Sequence, residues 1–298
     1  MNDIVIIGGG PAGLTAAIYG VRANKSVMVL ESTSCGGQII NTSYIENYPV
    51  APHITGLEFG QTLQKQAEDL GVKIDYDYVL HIDQIEGGFS IVTDDETLKA
   101  KAVIIATGTT PRKLNIENED RFIGRGVSYC ATCDGHFFKD KTVAVVGGGN
   151  SAAHEALYLS DLASKVYLIH RRDELRAGDA MVEKLKAKAN IELVLQANVS
   201  GLIGDDKLQK IKLEDDRELD VDGLFVSIGR EPNAGVLIDG LTLDENGYVV
   251  SDEKCATNIP GVFVAGDVRT KELRQLVTAT SDGAIAATAA INYINSAQ

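Results

Sequence analysis

The sequence predicts an α/β chain of two Rossmann-like, three-layer dinucleotide-binding domains, the second inserted in the first. Three observations predict it. A strand, a glycine loop and a helix follow one another twice, at Gly8 and at Gly147. Each copy closes on a later buried strand, at Thr107-Gly108 in the first and at Gly229 in the second. After the second copy come one more buried strand and a long Ala-rich helix, read as the return of the first domain. The expected boundaries are 1–112 with 245–298 for the outer domain and 113–244 for the inserted one.

Residues 3–7, all but the first aliphatic, form a buried parallel strand. It runs straight into Gly8, Gly10, Pro11, Ala12 and Gly13. The first glycine of such a loop makes the tight turn, the second lets backbone approach a pyrophosphate, and the third lets helix pack on strand. A helix over about 12–22 and a strand over 26–30 follow, ending at Glu31, a carboxylate placed to accept ribose hydroxyls. The next loop holds Cys35, Gly36, Gly37 and Gln38, then Glu46, Asn47, Tyr48 and Pro49. Its glycines and amides suit either a surface connection or a cradle for a flat polar ring. Phe59, Leu63, Ala67 and Leu70 recur at helical spacing and predict a core face. Residues 72–100 alternate like short strands around Gly87-Gly88, and 102–106 form a buried strand closed by Thr107 and Gly108.

The second copy repeats this grammar. Residues 142–146 lead into Gly147, Gly149, Asn150, Ser151 and Ala152. Gly147 lies 139 positions after Gly8, and the same offset carries Glu31 onto His170. Arg171, Arg172 and Arg176 follow. A carboxylate favours a free 2′-hydroxyl, whereas arginines favour a 2′-phosphate through charge-assisted contacts, so the second site should prefer NADPH. The spacing from the first glycine to the closing one is 100 in the first copy and 82 in the second. The surplus largely matches the loop around Cys35 to Pro49, which is therefore an addition to the common unit and favours a role for it beside the cofactor of the first domain. Residues 191–222 predict short strands with a turn at Gly204-Asp205-Asp206. In the return, a strand ends at Gly266 and Asp267 before a helix over about 273–294. Asp267 suits either a helix cap or a hydroxyl partner.

Composition bounds the function. Of 298 residues, 44% are hydrophobic and 23% charged, as in ordinary globular proteins. The net charge of −14 argues against nucleic acid and anionic membranes as partners. No apolar run approaches a membrane span, and no leader precedes the first strand. With only four cysteines, a cytoplasmic setting and one working thiol pair fit better than a disulfide framework.

That pair is Cys130 and Cys133, between the two glycine loops. Two thiols at this spacing can close into a small disulfide and reopen, storing two electrons. A zinc site would need two further ligands, but Cys35 and Cys255 are isolated and the five histidines show no HxxxH spacing, so no metal is expected. Two buried core thiols are the other reading, against which stand the Thr, Asp and Gly neighbours. Asp134 is placed to act as acid or base for the sulfurs, and Arg125 to favour a thiolate or aid docking.

Taken together, residues 8–13, 36–38, 46–49, 130–135, 147–152, 170–176 and Gly266-Asp267 with Arg274-Gln275 resemble the bacterial-type, low-molecular-weight thioredoxin reductases. The resemblance covers nearly the whole chain. It implies FAD on the first domain, NADPH on the second, and a homodimer whose NADPH domain rotates. It implies that Cys133 works against the flavin, that Cys130 attacks the disulfide of thioredoxin or a thioredoxin-like protein, and that Asp134 is the acid/base. By the same resemblance Gly36, Gly37, Gln38, Asn47, Asp267, Arg274 and Gln275 contact flavin, and Arg171, Arg172 and Arg176 hold the 2′-phosphate. The chain departs from the pattern at His136, where an aromatic residue often meets thioredoxin, although Phe137 and Phe138 remain, and at Cys35. Two rival readings stand beside NADPH-dependent thioredoxin reduction. One is a reductase of the same build serving another small redox protein, and the other is a non-catalytic nucleotide-binding redox sensor.

Overall fold

The structure, a computed structural model, describes residues 1–42, 45, 47–51, 53–233 and 238–296, and at Cys133 the backbone alone. Glu46 therefore lies outside the described residues. The chain divides into two compact units, Met1–Thr110 with Glu231–Gln298, and Pro111–Arg230.

The first unit is built on the strand Asn2–Ile7. It pairs in parallel with Val27–Leu30 on one side and Thr97–Ile105 on the other. Lys73–Asp75 extends the sheet beyond Val27–Leu30. On its other edge the long strand Thr97–Ile105 serves two further partners. Its start pairs antiparallel with Gly88–Thr93, and its end pairs parallel with Val262–Val264. Side chains alternate across a strand, so Ile4 and Ile6 face one layer and Val5 and Ile7 the other. On the first side they meet Leu14, Ala16 and Ala17 of helix Pro11–Arg22 and Ala286, Ala287 and Ala290 of helix Leu276–Ser296. On the second they meet Ile82, Phe89, Ile91 and Val264. Each fully buried aliphatic side chain contributes roughly 1.5–3 kcal/mol.

The unit resumes at Glu231, before the expected residue 245. Ile238 forms a bridge with Ile82 and is buried among the second-side residues, which ties the segment after Glu231 to this unit. The crossing points are close together within each unit. Asn233 N–H donates to Gly108 O in the first, and Arg112 N–H donates to Gly229 O in the second.

The second unit repeats the plan. Thr142–Val146 lies between Lys165–His170 and Gly223–Val226, and Ile191–Leu195 and Val127–Ser128 complete an all-parallel sheet. Val143 and Val145 meet Ala152 and Ala156 of helix Asn150–Ser160, while Ala144 and Val146 meet Ile211 and Leu213 from a separate antiparallel meander. Among the described residues, no helix is long and apolar enough to cross a membrane.

Helix Gly56–Asp69 confirms the core-face reading at Ala67, but Leu70 is 42% exposed because it is the residue that ends the helix. The helix begins with a reciprocal cap. Thr55 Oγ accepts from Glu58 N–H at 3.1 Å, and the Glu58 carboxylate accepts from Thr55 N–H at 3.0 Å. Such boxes satisfy two otherwise unpaired amides. Thr55→Ala is expected to lower the stability of the first unit by about 1 kcal/mol. A urea midpoint unchanged from wild type would show that the cap contributes nothing.

Candidate functional site

In the first unit the sheet carries Gly8, at φ +109°, to the mouth of helix Pro11–Arg22. A Cβ on Gly13 would lie 1.8 Å from the Gly8 carbonyl oxygen, so only glycine lets the helix start this close to the strand. Pro11 opens the helix, where its missing N–H costs nothing. Ala12 is buried against the turn, and the helix N-terminus is left facing the loop as an anion site. Glu31 is 9% exposed. Its Oε2 accepts Gly9 N–H at 2.7 Å, and Oε1 accepts the Thr33 amide at 3.0 Å and hydroxyl at 3.1 Å. The carboxylate thus braces the glycine loop, with lone pairs left for a hydroxyl. A 540 Å³ cavity opens beside it, lined by Gly8, Glu31, Ser32, Asp77, Tyr78 and Thr107 among others.

The added loop docks on the same place. Gly36 N–H donates to Gly9 O at 2.9 Å, and Gly37 and Gln38 begin a short 3₁₀ turn. Asn47 Nδ2 donates to Gln275 Oε1 at 2.9 Å, joining the loop to the return segment. There, Gly266, Asp267 and Val268 form a tight turn. Arg274 clasps it, donating to Asp267 O and Arg269 O while its guanidinium stacks 3.9 Å from the Tyr248 ring centroid. Gly108, at φ +66°, has open space beside it. Close approaches thus link Gly9 with Glu31 and Gly36, Gly10 with Gly37, Ala12 with Gly266, and Asn47 with Gln275.

In the second unit the loop from Gly147 to Gly149 leads into helix Asn150–Ser160, with Asn150 and Ser151 exposed and Ala152 buried. A Cβ on Gly148 would lie 2.3 Å from the His170 ring, which fills the floor under the loop. His170 is 5% exposed, and its Nε2 is buried without a hydrogen-bond partner. Burial, then Arg176, Arg172 and Arg171, pull its pKa below the usual histidine value. The Arg176 and Ala177 amides donate to Gly148 O, and Gly178 N–H donates to Asn150 Oδ1. That folds the arginine loop against the glycine loop, with the Arg171, Arg172 and Arg176 side chains exposed.

Cys130 follows strand Val127–Ser128 and is disulfide-bonded. Its N–H donates to Ser128 Oγ at 3.1 Å, and its Sγ lies 3.4 Å from Thr132 Oγ1. Asp134 N–H closes the short helix Ala131–Asp134 onto Cys130 O, and the Asp134 side chain is half-buried. The Cys133 side chain lies outside the described residues. Cys35 and Cys255 are free thiols and both are buried. Burial pushes the Cys35 thiol up, against a hydrogen bond from Tyr76, and pushes Cys255 up to about 12.

The family model for pyridine nucleotide-disulphide oxidoreductases matches residues 2–283. The chain belongs to this family. A thioredoxin reductase from Mycoplasma genitalium is 46% identical over 95% of this chain and 92% of its own length. One from Treponema pallidum is 44% identical over 99% and 98%. The crystal structure of Lactococcus lactis thioredoxin reductase in its FR conformation superposes with a TM-score of 0.89 at 39% identity, covering 99% of this chain and all of that one.

In this pyridine nucleotide-disulphide oxidoreductase the aromatic pair after the dithiol divides. Phe137 is 72% exposed, whereas Phe138 packs edge-on against Phe225 and over Gly223. Phe137 and exposed Arg125 share a groove with Lys141 and Lys207. His136 is exposed as well. Among the described residues, no group of three or more His, Cys, Asp or Glu is placed to hold a metal.

Two carboxylates were missed by the motif reading. Glu119, 3% exposed, accepts the amides of Leu114 and Asn115 and the Tyr129 hydroxyl, at 2.6 Å, which steadies the segment between strand Val127–Ser128 and Cys130. Glu155 sits on the helix after the second glycine loop, with Oε2 buried and unpartnered. Burial pushes its carboxyl up to about 7, opposed by a Ser227 hydrogen bond and by Arg230. A carboxyl raised in the folded state contributes its full stability below the ordinary value near 4.5 and loses it as pH rises to about 7. Glu155→Gln lacks that slope. Relative to wild type it is expected to gain roughly 2–3 kcal/mol between pH 4.5 and pH 8. Parallel pH profiles of the two proteins' urea stability would show that Glu155 ionises normally.

Proposed function

We propose that the chain is an NADPH-dependent, FAD-containing thioredoxin-disulfide reductase working through the Cys130–Cys133 pair. The observation that carries the reading is the disulfide-bonded state of Cys130, just before the short helix Ala131–Asp134 and, in sequence, between two nucleotide loops of opposite charge preference. Cys35 and Cys255 are free, which leaves Cys133 as the partner of Cys130.

The residues fit both nucleotides. On the first unit, the cavity beside Glu31, the helix N-terminus at Gly10 and the Asn47–Gln275 rim suit FAD. FAD, when bound, supplies the conversion of a two-electron hydride into thiol chemistry. On the second, the N-terminus of helix Asn150–Ser160 suits a pyrophosphate. Exposed Arg171, Arg172 and Arg176 suit a 2′-phosphate, which NADH lacks. His170 holds the two loops in register from below.

In the dithiol state, the Cys130 thiolate attacks one sulfur of the partner disulfide and displaces the other as a thiolate, which Asp134 protonates. Cys133 then attacks Cys130 Sγ and releases the second partner thiol. The Cys130–Cys133 disulfide is restored, and the partner has gained two electrons and two protons. Phe137 and Arg125 offer an apolar and a cationic contact to the docking protein. A homodimer, a cytoplasmic setting and the absence of nucleic acid or membrane partners belong to the same reading, the last supported by the net charge of −14. A reductase serving another small redox protein would share these residues, with exposed His136 as the point of difference.

Anaerobic NADPH is expected to bleach the flavin at low concentration and to raise two new thiols, and Cys130→Ser is expected to abolish the new thiols. Bleaching without new thiols would remove the dithiol from the electron path. A sensor would stop after one equivalent, whereas a reductase turns over with excess thioredoxin. Arg171→Ala and Arg176→Ala are each expected to raise the KM for NADPH about 10–100-fold, one charge-assisted contact being worth roughly 1.5–3 kcal/mol. The constants for NADH should stay unchanged. Equal losses with both nucleotides would show that the arginines do not read the phosphate.

A further inference from the structure

Behind the turn at Gly266 and Asp267, three charges are shut away from water. Asp282, on helix Leu276–Ser296, is 5% exposed. Its Oδ1 accepts Arg269 Nη1 at 3.1 Å, and its Oδ2 accepts Lys271 Nζ at 2.7 Å. The side chains of Asp282 and Lys271 are each 8% exposed and that of Arg269 is 12%. Oδ2 also accepts the Gly266 amide at 3.1 Å, so one carboxylate holds both cations and the turn. Arg269 is fixed further by Ser251 Oγ and Asp252 O.

Within the trio two cations meet one anion, a surplus of one positive charge; the carboxylates of Asp252 and of Asp267 on the turn lie outside this count. A buried charge without its counter-charge is costly. Away from water its field also reaches further, because the effective dielectric constant is lower. The charge on the three side chains is larger than the half-charge of a helix terminus.

We propose that Asp282, Lys271 and Arg269 are positioning residues for the flavin turn, and that their surplus positive charge raises the reduction potential of the bound flavin. The proposal rests on the FAD reading of the first unit. Hydride transfer from NADPH brings two electrons and one proton, so the ring gains one negative charge as NADPH becomes NADP⁺. A fixed positive charge behind the turn favours that product over the oxidised ring.

Electrostatics and mere bracing predict different outcomes. Removing the Lys271 cation should lower the potential, and removing the Asp282 anion should raise it. Loosening the turn would move both variants the same way. The test is a spectroelectrochemical titration of the purified holoprotein as wild type, Lys271→Met and Asp282→Asn. Expected is a three- to tenfold change in the two-electron reduction equilibrium, roughly 15–30 mV, negative for Lys271→Met and positive for Asp282→Asn. Each variant should retain one FAD per chain by absorbance. Unchanged potentials, or shifts of the same sign, overturn the proposal. If Asp282→Asn does not fold, Lys271→Met is compared with Lys271→Arg, which keeps the cation and should hold the wild-type potential; an equal shift in both overturns the proposal. Wild-type protein without FAD overturns the underlying reading and this proposal with it, and the absorbance step reveals that before any potential is measured.

Discussion

A methyl group has no room at Gly13, and that steric fact governs the first unit. Helix Pro11–Arg22 can start hard against Gly8 only because nothing projects between them. The short approach points the free amides of the helix into the rim and presses its apolar face onto Ile4 and Ile6. Helix Leu276–Ser296 then packs on the same face, with Gly283 at the closest point to the Ala12 carbonyl. Asp282, one residue earlier, is thereby delivered to the turn at Gly266. Backbone proximity, not any single strong contact, brings these loops together.

The second unit solves the same problem with different chemistry. Ala152 takes the place of Gly13, so the helix stands slightly away, and the His170 ring fills the floor under Gly148. In the first unit the corresponding residue is Glu31, whose carboxylate ties down Gly9. One position is thus a carboxylate in one copy and an imidazole in the other. It supports the glycine loop from below in both; in the first it also places a carboxylate at the loop, whereas in the second the charge comes from the arginines that follow it. His170 sits among three arginines, and burial keeps it toward the neutral form.

The sequence made the repeat legible because both copies rest on local grammar. Aliphatic runs, glycine spacing and helical periodicity all act within about 30 residues, and they placed Asn2–Ile7, Thr142–Val146 and their helices closely. Residues whose work depends on distant partners were not legible. Glu155 meets Ser227 and Arg230 from far along the chain, and the partners of Glu119, although near in sequence, lie in no motif. Phe137 and Phe138 look alike in sequence, and only the hollow over Gly223 decides which one faces outward. Leu70 fits a helical stripe by count but falls on the terminal residue. The resumption at Glu231 was hidden because Ile238, which anchors it, lies in no motif.

The hydrogen bonds at the crossings have an architectural consequence. In the first unit, Gly108 and Asn233 are neighbours through a single amide. In the second, Arg112 and Gly229 are neighbours in the same way. Each unit therefore presents its two cut ends side by side, and a turn of a few residues would reseal either one. The second unit can be lifted out of this gene, or another nucleotide module spliced in, without stretching the host sheet. The outer unit treats more than a hundred inserted residues as it would a loop. Such a chain is open to module exchange, and the chemistry of its electron donor can change while the cofactor that receives the electrons stays where it is.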